Sequence, residues 1–221
     1  MKISRKMILI FSAMILLTIG INTAYLIQTS LDRTQENAQM RFNNMGTNMV
    51  RSIEQYVRIM DLALADVSSD SSFMDAFAAA TGDSSSINLV LSAQNMMSQV
   101  LYHSPSVENF YRVSVFSRNG FFLSSHFEKN DTLVSMSDEA RDIINGIPWL
   151  DSVEADAFQR HLIPPHNDAF CIAQDVPVFS AVRATTWHGK QIGFIEVAAV
   201  ASDLSSLFAG ETNDIWVQAV L

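Results

Sequence analysis

The sequence predicts an α+β fold in which an N-terminal membrane-spanning helix continues into a long helix that packs on an antiparallel sheet. Three observations carry this expectation. They are an apolar run without a charged residue from Met7 to Ile27, a helical apolar stripe from Phe42 to Val67, and a series of strand and turn signals from Phe110 to Val200.

The run MILIFSAMILLTIGINTAYLI comes first. At about 1.5 Å of rise per residue a helix of this length crosses a hydrocarbon core of roughly 30 Å. A cleaved secretory signal has a shorter apolar core and a small-x-small cleavage site; here the run passes through Tyr25, Leu26 and Ile27 into Gln28-Thr29-Ser30 without one, which favours an uncleaved anchor. Lys2, Arg5 and Lys6 precede the run and no cation lies between Ile27 and Asp32, so the positive-inside rule places residues 1–6 in the cytoplasm and the remainder outside.

Charge and cysteine content narrow the function classes. The three N-terminal cations leave 11 of the 14 Lys and Arg against all 23 Asp and Glu, so the part beyond the anchor carries a formal −12. Such a surface repels nucleic acid and anionic lipid. Cys171 is the only cysteine, which excludes an internal disulfide framework and a Cys-rich zinc site. Its neighbours Phe170 and Ile172 predict a buried thiol in a strand. A domain of this size without disulfides fits a bacterial envelope better than a eukaryotic secretory route.

From Gln28 to Val67 there is no proline, and Phe42, Met45, Met49, Ile53, Tyr56, Met60, Leu64 and Val67 recur at steps of three and four, one face of a helix. That stripe can serve as core, as a dimer seam, or as both. Clustered Ser and Asp at 68–72 and 81–86 act as turn and N-cap signals around a short helix through Phe73, Phe77 and Ala80. A further helix runs from Ile87 to His103 and stops at Ser104-Pro105.

Strands follow. Phe110–Phe116 is aromatic and β-branched, Asn119-Gly120 predicts a tight hairpin with positive φ angles, and Phe121–Ser125 returns. Ser137–Ile144 reads as a capped helix closed by Asn145-Gly146-Ile147-Pro148, and 149–167 reads as irregular, with Pro164-Pro165 near its end. Strands are expected again at Phe170–Gln174, Val176–Ala184 and Gln191–Val200, the last two joined through Trp187-His188-Gly189-Lys190, and then a capped helix over 202–208.

In this order the elements resemble the extracellular Cache sensor domains of bacterial receptors, in particular the membrane-distal half of double-Cache sensors on histidine kinases, chemoreceptors and cyclases. The residues that carry the resemblance are Val113–Gly120, similar to the first hairpin, Val176-Pro177-Val178, and Gly189–Val197 followed by Asp203–Leu207, similar to the final strand and exit helix. The resemblance covers Gln28 to Phe208 and implies a PAS-like antiparallel sheet. It also implies the boundaries 1–6 cytoplasmic, 7–27 transmembrane, 28–208 sensor, and 209–221 the start of a following segment of a longer receptor. A homodimer and a small-molecule ligand are the implied partners, with no cofactor.

In resembling proteins the ligand sits between the concave side of the sheet and the loop after the crossover helix, in a largely apolar pocket. On that analogy the ligand-binding residues are Arg112 and Phe116 on the first strand, Trp149 in the loop and Glu196 on the last strand. Each also has a purely structural reading: Trp149 closing the core, Arg112 facing solvent, Glu196 the polar member of a half-exposed strand. Relatives that bind amino acids carry an Arg, a Trp-Tyr pair and a late Asp, whereas here Leu150 follows Trp149 and Ala199 stands nearest the late position. Amine recognition is therefore not implied.

Enzyme motifs are absent: the sequence holds no G-x-S-x-G, no G-x-x-x-x-G-K-[ST] and no H-E-x-x-H. His161 and His166 flank Pro164-Pro165 and read as a surface loop rather than a metal site, and the acidic stretch Glu139, Asp142, Asp151, Glu154, Asp156 as a solvated face. The expectation is a sensor without catalysis, on a bacterial cell membrane.

Overall fold

A computed structural model of the chain describes residues 2–82, 87–104, 107–125, 135–156, 159–171 and 176–203. Among these the elements are α1 (Lys2–Ser69), α2 (Ser71–Thr81), α3 (Ile87–His103), β1 (Arg112–Phe116), β2 (Phe122–Ser124), α4 (Asp138–Asn145), α5 (Leu150–Ala155), β3 (Arg160–Asn167), β4 (Pro177–Trp187) and β5 (Lys190–Val200). The chain divides into two units, Met1–Arg51 and Ser52–Leu221.

The first unit is the N-terminal part of α1. It is long and apolar enough to cross a membrane, and every described side chain from Met7 to Ile27 is exposed. Two of its polar side chains bond back to the preceding turn: the Thr18 hydroxyl donates to the Met14 carbonyl at 2.8 Å, and the Asn22 amide nitrogen to the Thr18 carbonyl at 3.0 Å. Such back-bonding lets a polar side chain sit in an apolar helix with its donor satisfied.

The second unit is built on a five-stranded antiparallel sheet of order β2-β1-β5-β4-β3. One face packs on helices. Val113, Val115, Leu123, Ala181, Ile195, Val197 and Ala199 project to this side and share a core with Met60, Leu64 and Val67 of α1, Phe73 and Phe77 of α2, and Met97 and Leu101 of α3. The far part of the predicted stripe is thus core, whereas Phe42 and Ile53 are exposed. Asp70 caps α2 by accepting from the Phe73 backbone N–H at 2.9 Å, and Ser137 caps α4 by accepting from Ala140 at 2.9 Å, as the Ser/Asp clusters predict.

Four expectations are corrected. The segment 149–167 is ordered as α5 and β3; Pro164 and Pro165 are tolerated because β3 is an edge strand whose register shifts between Ile163 and His166. His161 and His166 therefore lie on a strand and not on a loop. The Asn119-Gly120 turn is a three-residue loop closed by Ser117 and Phe121: left-handed φ falls on Gly120 alone (94°), while the Asn119 side chain accepts from the Phe121 N–H at 3.1 Å. Cys171 is half-buried and forms a β-bridge after Phe170, which belongs to a turn; the rest of the expected strand, 172–174, lies outside the described residues.

The β4–β5 hairpin turns on His188 (φ 48°) and Gly189 (φ 79°), the two positive angles its two-residue loop demands. Ala201–Asp203 begins the expected exit helix. The continuation of that helix, residues 172–175 and the segment 209–221 lie outside the described residues.

Candidate functional site

Side chains alternate across a strand, so register decides which residues meet. On β1, Arg112, Ser114 and Phe116 share the face opposite the helices. Their partners on β5 are Ala198, Glu196 and Phe194, and on the next strand Ser180, Val182 and Ala184 continue the row. Ser124 and Phe122 of β2 extend it beside Ser114 and Phe116. This face has a polar half and an apolar half, and α4, α5 and the turn at 168–170 cover it.

The polar half is a buried ion cluster. The Arg112 guanidinium, 5 % exposed, pairs through Nη1 with Asp168 and through Nη2 with Glu196 at 3.2 Å. Glu196 also accepts from the Ser180 hydroxyl at 2.7 Å and from the Ser114 hydroxyl at 3.2 Å. Asp168 accepts from the Phe170 N–H at 2.9 Å, and its own N–H donates to the Val176 carbonyl at 2.9 Å, which fixes the turn against the sheet. The Phe170 ring lies 4.9 Å from the guanidinium carbon, a cation–π contact.

Two carboxylates face one guanidinium here. Burial alone would lower the Arg112 pKa, but Glu196 and Asp168 outweigh it and raise the value above its ordinary one, so the side chain stays charged. Burial first, and then the Asp168 charge, pushes the neighbouring Tyr111 phenol up to about 12. Two polar atoms on this face, Arg112 Nε and Ser124 Oγ, are buried without a hydrogen-bond partner among the described residues.

The apolar half is a ring of aromatics. Phe116 stacks on Phe194 at 5.4 Å between centroids and contacts Phe170 at 5.0 Å, and Phe122 stacks on Phe170 at 4.6 Å. Trp149, half-buried at the start of α5, meets Phe116 edge-on at 6.5 Å and His166 at 6.2 Å. Ile144, Leu150, Val153 and Ile163 complete the packing.

All four residues singled out from the sequence fall on this one face, in two pairs: Arg112 with Glu196, and Phe116 with Trp149. Arg112 does not face solvent and Glu196 is not half-exposed; both are buried. Asp168, Phe170, Ser114 and Ser180 were missed. The serines were detectable as polar residues at inward positions of apolar strands, whereas Asp168 follows Pro164-Pro165 and reads as an ordinary turn residue. Ala199 projects to the helical face, away from Arg112.

The acidic stretch is partly engaged elsewhere. Arg118 donates through Nε to Glu154 at 2.7 Å and pairs with Asp151, tying the β1–β2 turn to α5. Beside it a cavity of about 550 Å³ opens between the end of α2 at Ala78 and Thr81, Arg118, Glu154, and the hairpin residues Trp187 and Lys190. No group of three or more His, Cys, Asp or Glu with metal-ligand geometry occurs among the described residues.

No protein-family model matches the sequence, and no curated protein matches it significantly. Solved structures do match. The sensor domain of the V. cholerae histidine kinase DctB superposes with a TM-score of 0.54 at 12% identity, over 78% of this chain and 58% of that one. The ligand-binding domain of the Pseudomonas fluorescens chemoreceptor CtaA in complex with L-serine superposes with a TM-score of 0.51 at 14% identity, over 78% of this chain and 63% of that one. The chain thus spans about three fifths of the length of each of these solved domains. At such identities the likeness is one of fold: this chain shares the fold of receptor sensor domains, as its sequence resemblance implied.

Proposed function

We propose that this chain is the extracytoplasmic ligand-sensing region of a bacterial transmembrane signal-transduction receptor, with 7–27 as the membrane span, 28–208 as the sensor, and the N-terminus in the cytoplasm. The observation that carries the reading is the buried Arg112–Asp168–Glu196 cluster beside the Phe116–Trp149 aromatic wall, on the covered face of a sensor-domain sheet. A charged group with fixed donors next to an apolar wall is the composition of a small-molecule site. Arg112, Phe116, Trp149 and Glu196 are the ligand-binding residues of this reading.

Ligand occupancy favours one arrangement of the sheet and its crossover, and α1 carries the difference to the membrane and to a second copy of the chain. No catalytic role belongs to this segment. A histidine kinase is the output we favour, and the match to a chemoreceptor domain supports a chemoreceptor equally. A membrane-anchored binding protein without output is the second reading. Downstream sequence separates them: a second apolar span followed by a signalling domain supports the receptor, and a stop codon after Leu221 supports the anchored binding protein.

Thermal unfolding of the full chain in detergent micelles, with amino acids, organic acids and sugars added by class, tests the sensing claim. Binding to the folded state must stabilise it, by about 2.7 kcal/mol at a hundredfold excess over Kd. A saturable rise in Tm with one class supports the reading, and no rise with any class overturns it.

A further inference from the structure

A second recessed surface lies at the hairpin end of the sheet, apart from Arg112. The cavity there, of about 550 Å³, falls within the roughly 300–1,000 Å³ of small-molecule sites. Ala78 of α2, Ile192 and Phe194 of β5 and the half-buried ring of Trp187 give it an apolar wall. Glu154, Gln191 and Arg118 supply polar groups, and the carboxyl end of α2 reaches it at Thr81 and Gly82.

The Arg118 charge in this lining is already engaged. Arg118 donates through Nε to Glu154 Oε2 at 2.7 Å, through Nη1 to Asn145 at 3.3 Å, and through Nη2 to Asp151 and Glu154. Every nitrogen of the guanidinium thus has an acceptor, and two carboxylates share one cation. Negative capacity is left over. Glu154 Oε1 accepts from the Gln191 amide at 3.4 Å, longer than a strong bond. α2 has no basic residue in its last turn, so the partial negative charge of its carbonyl end is not offset from within the helix. The Trp187 indole N–H donates to Asp75 at 2.8 Å, which fixes the ring beside the cavity and sets a third carboxylate behind it. Lys190 is the opposing charge; it is exposed beside the two-residue loop, where its stem can carry the ammonium into water.

The geometry points to this cavity as a second binding site, for a monovalent organic cation with an apolar body. The cationic end meets Glu154 Oε1 and the carbonyl end of α2, and the body lies between Ala78, Ile192 and the Trp187 ring. An uncharged molecule of the same shape gains the apolar contact alone. An anion meets the Glu154 carboxylate. The site does not depend on the reading of the Arg112 face, and Phe194 is common to its wall and to the aromatic ring there.

The test titrates the full chain in uncharged micelles by calorimetry, with empty micelles as the blank. Benzylammonium is the probe, and benzyl alcohol, with the same ring and no charge, is the control. A bond to an ionised carboxylate makes benzylammonium bind about tenfold more tightly than benzyl alcohol. Glu154→Gln removes that factor and leaves benzyl alcohol binding unchanged. Trp187→Leu weakens benzylammonium about threefold more than it weakens the alcohol, the share of the cation–π contact. Lys190→Gln removes the opposing charge and tightens benzylammonium about twofold, a gain that a damaged fold does not produce.

Equal binding of benzylammonium and benzyl alcohol, a Glu154→Gln chain that holds benzylammonium as tightly as the parent, or a Lys190→Gln chain that holds it no better overturns the site. None of these outcomes bears on the sensing reading, because no residue of the Arg112 cluster is changed and no ligand of that face is present.

Discussion

The Arg112 guanidinium and the Glu196 carboxylate lie 3.2 Å apart on neighbouring strands, both buried, with Ser114 and Ser180 bonded to the same carboxylate. Burying these groups costs free energy that only their mutual bonds offset, so the balance depends on every partner remaining in place.

Arg112→Met leaves the Glu196 and Asp168 carboxylates buried without their cation. A loss of about 3–5 kcal/mol is expected on denaturant unfolding at neutral pH. Glu196→Gln keeps the serine bonds and the Arg112–Asp168 pair, so its loss is smaller. Equal losses for the two variants would contradict the cluster.

Gly193 on β5 lies against β1 so closely that an added Cβ would overlap the Phe116 carbonyl oxygen and come within 2.6 Å of Phe77 Cζ. Since the first obstacle is backbone, Gly193→Ala is expected to cost about 3 kcal/mol. Gly189 has open space around its Cβ position but a φ of 79°, so Gly189→Ala costs only about 1 kcal/mol, the conformational part. Equilibrium unfolding of both variants checks the order.

Asp70→Ala removes the oxygen that caps α2 on the Phe73 N–H. The expected loss is about 1 kcal/mol, and Asp70→Asn recovers most of it. Identical losses for Ala and Asn would show that the cap bond contributes nothing.

Tyr111 gives an alkaline signature. Its pKa is pushed up to about 12 from an ordinary 10.0, by burial and then by Asp168. Below pH 10 the phenol is protonated in both folded and unfolded chains and its contribution is fully present; between pH 10 and about 12 only the unfolded chain releases the proton, so stability falls. Tyr111→Phe removes this part of the alkaline decline, measured as Tm against pH from 9 to about 12. An unchanged slope would contradict the shift.

Much of the fold is legible in the sequence because its determinants are local. Spacings of three and four at Met60, Leu64 and Val67 mark α1's buried face, Asp70 and Ser137 mark helix starts, and His188-Gly189 marks a two-residue turn. Arg112, Phe116 and Glu196 are legible as site candidates because they stand in strands whose order the resemblance supplied. β3 is not, because Pro164-Pro165 argues against a strand wherever the position of that strand in the sheet is unknown. Asp168 is not, because its partner Arg112 is 56 residues away and nothing local distinguishes it from a turn carboxylate. Only register and tertiary packing bring the two together.

Backbone hydrogen exchange on the full chain, with and without a saturating ligand from the thermal screen, tests the central claim most directly. Ligand-dependent changes confined to residues 112–116, 168–171 and 194–198 are the predicted result. Protection that appears instead at 78–82 and 187–193, around the cavity at the hairpin end, would contradict it and move the recognition site to that cavity.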